Sequence, residues 1–200
     1  GVTTVELDRL AEQECLRRQA KPAFKGYGGV PYSICSSPND RVVHGFPNDN
    51  PLCEGDILSI DFGVIYQGFY GDSAITVPVG NIAPETDRLL TATRESLEKA
   101  IEKAVPGGRL SDISHAVQSW VEPRGFSVVR EFVGHGIGRQ LHEAPQIPNF
   151  GVAGQGPKLK SGMVLAIEQM INAGVPGIRI LDDGWTAVTQ DGRLSAHFEH

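Results

Sequence analysis

The chain has 200 residues, enough for one domain with a sizeable core, and its 40% hydrophobic and 21% charged content is that of an ordinary globular protein. A net charge of −6 and a pI near 5.5 argue against a nucleic-acid partner, which needs a basic patch. No segment approaches the ~18 uninterrupted apolar residues of a membrane span, and the chain does not open on a signal peptide.

Thr3-x-x-Glu6 is a capping box and opens a helix running to Arg18, with Leu7, Leu10, Ala11 and Cys15 as its apolar face. Pro22 to Pro31 reads as a glycine-rich loop. Short strands are expected over Val30–Cys35 and Arg41–Gly45, then a polar turn region over Pro47–Gly55. Two longer strands follow, Asp56–Tyr66 and Phe69–Pro78, joined by Gln67-Gly68 as a two-residue hairpin loop. With that loop, facing residue numbers add to 135, so Asp61 faces Ala74 and Asp72 faces Gly63. The two aspartates become diagonal neighbours on one sheet face, ~7–8 Å apart at the backbone. Helices are expected over Pro84–Val105, closed by Pro106-Gly107-Gly108, and over Leu110–Glu122, ended by Pro123-Arg124-Gly125. Further strands are expected at Ser127–Val133, Met163–Met170, Trp185–Thr189 and Ser195 to the end. Gly1–Phe24 and Gly107–Arg130 form a faint repeat at an offset of 106, in which Leu7 falls on Ile113 and Ala11 on Val117. It suggests a duplicated α+β half.

Cys15, Cys35 and Cys53 form no Cys-x-x-Cys pair, which speaks against a zinc ribbon and fits reduced thiols in a cytosolic protein. The chemistry lies elsewhere, in Asp61, Asp72, His135, Glu168 and Glu199. Asp61, Glu168 and Glu199 follow or end apolar runs that a strand would bury, and a buried charge is costly unless paired or metal-bound. Like charges on one sheet face repel unless a cation neutralises them. The glycines of Gly134-His135-Gly136-Ile137-Gly138 would let the backbone approach a bound group closely. His142 reads equally as a second site histidine or an exposed loop residue, and His44, taken alone, reads more readily as structural. Four carboxylates and one imidazole suit two Mn²⁺-, Fe²⁺- or Co²⁺-like ions, whereas a tetrahedral zinc site shows more His or Cys. No nucleotide-binding or nucleophile-elbow pattern is present. Hydrolysis assisted by two metals, which activate water and clamp the oxyanion, is the natural reaction class.

The order Asp…Asp…His…Glu…Glu with these flanks resembles the type I methionine aminopeptidases. The matching stretches are Asn39–Gly45, Gly55–Asp61, Gly71-Asp72-Ser73, Gly134–Gly138, His142–Pro145, Asp182–Thr186 and Asp191–His200. The resemblance covers nearly the whole chain. It implies the pita-bread fold, an α+β pseudo-symmetric antiparallel sheet covered by helices, and a single catalytic domain over residues 1–200, shortened at both ends relative to the family. It implies two divalent ions (Co, Mn, Fe or Zn), with Asp61 on one, His135 and Glu168 on the other, and Asp72 and Glu199 bridging. His44 and His142 would contact the scissile peptide, His142 steadying the tetrahedral intermediate, and Glu168 would take a proton from the attacking water. The methionine pocket would be Phe24, Tyr27, Val30, Cys35, Leu141 and Trp185. The substrate would be a peptide or nascent chain beginning with Met, and the enzyme a cytoplasmic, ribosome-associated monomer. Gln169 stands where the family usually has Pro, and Val30 and Leu141 where an aromatic is common. The alternatives are a peptidase of the same fold cleaving before proline, which usually carries an added domain, and a metal-free binding module, which would have lost ligand residues.

Overall fold

A computed structural model describes residues 1–200. The capping box forms as read: the Thr3 N–H donates to Glu6 Oε2 at 2.7 Å and starts α1 (Thr4–Arg17). The apolar face read for α1 needs correction. Its buried residues are Thr4, Asp8 and Cys15, and Leu10 is exposed. Asp8 is what orients the helix, because its carboxylate accepts the N–H groups of Ser33 and Ile34 at 2.7 and 3.0 Å. A buried acceptor, rather than a leucine stripe, docks α1 on the chain that leads to Cys35. The same bonds replace part of the expected Val30–Cys35 strand, whose pairing begins only at Cys35. The first elements are therefore β1 (Lys21–Pro22), a 3-10 turn at Tyr27–Gly29, β2 (Cys35–Pro38) and β3 (Arg41–Val43).

The hairpin keeps the expected register throughout. β4 (Ile57–Asp61) faces β7 (Ala74–Pro78) and β5 (Val64–Tyr66) faces β6 (Phe69–Gly71), with partners from Ile57↔Pro78 to Tyr66↔Phe69. The two strands are not continuous, however. Their ladder breaks at residues 62–63 and 72–73, and Asp72 lies in the break. Gly63 accounts for the bend: its carbonyl accepts the Ala23 N–H at 2.8 Å, and a Cβ there would sit 2.6 Å from the Phe24 ring. The hairpin tip leaves the main sheet and joins β1 in the order β1-β5-β6.

α2 (Pro84–Ile101) stops four residues before the expected end, and α3 (Leu110–Val121) runs into a 3-10 turn at Glu122–Arg124. At the offset of 106, α1 and α3 start in step, and Asp112 accepts the Arg109 N–H at 2.8 Å as Glu6 accepts that of Thr3. The duplicated half is visible in these two helix starts. Next come β8 (Ser127–Val128), β9 (Gly134–Gly136), β10 (Glu143–Ile147), β11 (Leu165–Ala166), β12 (Glu168–Asn172), β13 (Ile178–Ile180), β14 (Ala187–Thr189) and β15 (Ser195–Glu199). The expected strand at Ser127–Val133 keeps its first two residues, Met163–Met170 divides at Ile167 between two sheets, and Trp185–Thr189 starts two residues late. β10 gave no strand signal because its sequence, Glu-Ala-Pro-Gln-Ile, carries a proline and little apolar alternation.

The central antiparallel sheet has the order β2-β4-β7-β15-β12-β8. A core containing Leu89, Leu97, Ile113, Val117, Ile171 and Phe198 packs α2 and α3 on the half that carries β12 and β15. The two halves meet at β7 and β15, where Glu199↔Ala74 is the sole ladder pair. Side-chain hydroxyls complete the seam. Thr76 Oγ1 accepts the His197 N–H and donates to the His197 carbonyl, both at 2.8 Å. Its donor is then used, so Ser59 Oγ, also at 2.8 Å, must donate to it. Ser73 Oγ donates to the Glu199 carbonyl at 2.9 Å. Thr76→Val would strand three buried polar groups, and we expect a loss of about 2–4 kcal/mol in urea unfolding. Thr76→Ser, which keeps the hydroxyl, is expected to lose less than half of that.

Candidate metal centre

Sheet register brings the carboxylates together. Cys35↔Asp61, Asp61↔Ala74, Ala74↔Glu199 and Glu199↔Glu168 are successive partners, so these five positions form one row across four adjoining strand pairs. A row across a pleated sheet shares a face, and the small Ala74 keeps its middle free of bulk. Asp72, in the hairpin break, and His135 complete the cluster. One ligand atom each from Asp72, His135 and Glu199 lies within 4.8 Å of the others. His135 Nε2 is 3.8 Å from Glu168 Oε1, and its Nδ1 sits 2.9 Å from the Gly136 carbonyl oxygen.

The glycines around His135 have a different cause from the one read in the sequence. β9 is the middle strand of the sheet β10-β9-β11. A Cβ on Gly134 would meet the Ala166 carbonyl, and one on Gly136 the Ala144 carbonyl. Neighbouring strand backbones, not a bound group, require those glycines. They hold His135 buried and fixed.

Every residue singled out from the sequence for the site lines one cavity of about 130 Å³: Phe24, Tyr27, Val30, Cys35, Leu141 and Trp185 with His44, His142 and the five ligand-type residues. His44 follows β3 in the left-handed region, φ 60°, a conformation that a non-glycine residue holds only when its surroundings impose it. Its ring is wedged between Phe132 at 5.2 Å and Trp185 at 5.5 Å. His142 is more exposed. Its Nδ1 is 3.0 Å from the Tyr27 hydroxyl and its ring stands edge-on to His135 at 4.5 Å. Two supporting residues escaped the sequence reading. Asp8 ties down the loop that leads to Cys35, and His197 lies 3.5 Å from Glu168 Oε2 through its Nε2. Strand alternation held the signal for His197, which is two residues from Glu199 and so on the same face.

The electrostatics fit a bound cation. Asp61 Oδ1 and Glu199 Oε1 are buried with no hydrogen-bond partner. Burial, then Asp72 and Glu168, pushes the Asp61 carboxyl well up, and burial, then Asp61, does the same to Glu199. Asp72 is raised to about 6 by burial and by Glu168. Burial lowers His44 to about 4, and burial with His135 lowers His142. Oxygen-rich donors with one imidazole, crowded and unpaired, are a set for divalent metal. The metal-free protein should carry the cost. A carboxyl with a raised folded pKa stabilises below its ordinary range and loses that contribution as pH rises through the folded value. The two histidines work in the opposite direction, and three carboxyls outweigh them. Thermal melting should therefore show the metal-free protein more stable at about pH 5 than at about pH 7.5, with saturating Mn²⁺ reversing the order.

Comparison with known proteins agrees with this chemistry. The model of metallopeptidase family M24 matches residues 1–189. A methionine aminopeptidase of Clostridium perfringens is 56% identical over 200 residues, covering 100% of this chain and 80% of its own length. Methionine aminopeptidase 1 of Bacillus subtilis is 54% identical, with 100% and 81% covered. The crystal structure of a methionine aminopeptidase from Thermotoga maritima matches with a TM-score of 0.98 at 50% identity, covering 100% of this chain and 81% of that one. A prolidase from Pyrococcus horikoshii, at 23% identity and a TM-score of 0.77, shares the fold alone. The chain belongs to metallopeptidase family M24 and, within it, to the methionine aminopeptidases.

Proposed function

We propose that this protein hydrolyses the first peptide bond of chains that begin with methionine, using two divalent ions held by the carboxylate row. The observation that carries the reading is the row itself, with unpartnered carboxylate oxygens opening on a small apolar cavity. Asp61 would hold one ion, His135 and Glu168 the other, and Asp72 and Glu199 would bridge them. When bound, the ions activate water and polarise the scissile carbonyl. Mn²⁺, Fe²⁺, Co²⁺ and Zn²⁺ are the candidates.

The remaining work falls to side chains of the cavity. Phe24, Val30, Cys35, Leu141 and Trp185 offer a largely apolar surface, suited to an unbranched, polarizable thioether. A charged first side chain would lose its water there without gaining a partner. Glu168 would accept the proton of the attacking water. His44, uncharged at neutral pH, offers one N–H and one lone pair to the peptide unit. Tyr27 can donate its hydroxyl hydrogen to His142 Nδ1, which fixes the other tautomer proton on Nε2, facing the oxyanion. Nascent chains as substrates, association with the ribosome, a monomeric state, a cytoplasmic location and one catalytic domain spanning residues 1–200 complete the reading. No helix is long and apolar enough to cross a membrane.

Two measurements test it. His142→Ala should lower kcat by ~10²–10³, the usual contribution of an oxyanion donor, while calorimetry shows metal affinity little changed. A collapse of metal affinity would make His142 a ligand instead. In a tripeptide panel with added Mn²⁺ or Co²⁺, Met-Ala-Ser and its norleucine analogue should both be cleaved, since a methylene-sized change in an apolar pocket is worth only ~1–3 kcal/mol. Lys and Glu peptides should be inert. Efficient release of Lys or Glu, or strict dependence on proline at the second position, would overturn the methionine reading.

A further inference from the structure

Several features outside the proposed ligand set are polar and buried, and His197 is the one aimed at the centre. It is 1% exposed, and its Nε2 has no hydrogen-bond partner. Its backbone is fixed on both sides, because its N–H and its carbonyl are both bound to Thr76 Oγ1. The register sets Met170 opposite His197, which leaves Glu168 as its diagonal neighbour on the same face. Nε2 lies 3.5 Å from Glu168 Oε2, while Glu168 Oε1 lies 3.8 Å from His135 Nε2. The Glu168 carboxylate is thus held between two imidazoles, one oxygen turned to each. Burying a ring nitrogen that bonds to nothing is costly, and a methionine or leucine would fill the same space without that cost. The ring makes sense at this place if its N–H is directed at the carboxylate.

We propose that His197 is a positioning residue for Glu168: an Nε2–H aimed at Oε2 fixes the carboxylate so that Oε1 is presented on the His135 side of the cavity. The inference rests on the reading of Glu168 as a metal ligand. Partners of this kind orient a ligand before the ion arrives, and removing one typically costs ~10–100-fold in metal affinity or activity. His197 needs no contact with the substrate. It acts through the direction in which Glu168 points. Glutamine offers an N–H donor of comparable reach, whereas methionine fills the space without one.

The test compares the wild type with His197→Gln and His197→Met by calorimetric titration with Mn²⁺ and by kinetics on Met-Ala-Ser. The Met variant should bind its tighter Mn²⁺ ~10–100-fold more weakly and lose kcat, with KM nearly unchanged. The Gln variant should recover most of both. Nitrogen-15 NMR of the metal-free wild type should find the His197 proton on Nε2, a readout that does not depend on any variant folding. A proton on Nδ1 with bare Nε2 overturns the proposal, as does a Gln variant as impaired as the Met variant, or a Met variant that binds Mn²⁺ like the wild type. Wild-type protein that binds no Mn²⁺ defeats the metal reading of the site, and this inference with it.

Discussion

Four carboxylates stand on one side of the sheet, close enough to repel, and they have given up most of their water. Nothing else in the molecule is as costly, and much of the architecture can be understood as the means of holding them there. Two of them, Asp61 and Glu199, carry an oxygen with no partner at all. In the metal-free protein the relief available is protonation, and burial and mutual repulsion drive the Asp61, Asp72 and Glu199 carboxyls upward. A divalent cation relieves the same repulsion more completely, and it does so at neutral pH. The arrangement is unfavourable as folding chemistry and favourable as binding chemistry, which is the usual mark of a functional site.

The pita-bread architecture follows from where that row sits. Each half of the duplicated fold contributes strands to one sheet, and Asp61 and Glu199 come from opposite halves: Glu199 is one member of the single ladder pair that joins them, and Asp61 faces the other member, Ala74. Backbone pairing alone would leave the seam weak. Thr76 and Ser73 replace the missing ladder bonds with hydroxyl bonds to β15, Ser59 supports Thr76 from β4, and together they fix the strand that carries both His197 and Glu199. α2 and α3 close the opposite face with apolar side chains, so the sheet is rigid behind the site. Substrate selection is built on the more open side, by the loop that Asp8 secures and by Leu141 beside His142.

What could be read from the sequence depended on whether the cause was local. The hairpin register followed from a two-residue loop, and the structure keeps it at every paired position. The capping box at Thr3 is likewise local, and so are the helix starts and the Leu7/Ile113 and Ala11/Val117 matches that suggested the repeat; the counterpart contact at Arg109 came only with the structure. The break at residues 62–63 was not legible, because Phe24 and Ala23, far away in the chain, impose it through Gly63. The glycines beside His135 were noticed, but their reason lies in β10 and β11 packing against β9, which no local pattern encodes. The role of Asp8 had no local signal, because its partners, the Ser33 and Ile34 N–H groups, lie in a distant loop. The candidate site residues were legible as a set because carboxylates after apolar runs conflict with burial, and that conflict survives without knowledge of the fold.

The central claim is that this row exists for cations and weakens the protein without them. Glu199→Gln tests both halves in one variant, since it removes a charge from the row and keeps the shape. Calorimetry with Mn²⁺ and thermal melting of the metal-free protein near pH 7.5 are the paired readouts. The account predicts that the wild type binds two ions, and that the variant loses two-ion binding yet melts at a higher temperature than the metal-free wild type. A variant that binds Mn²⁺ with unchanged stoichiometry and affinity, or that melts lower than the metal-free wild type, would contradict it.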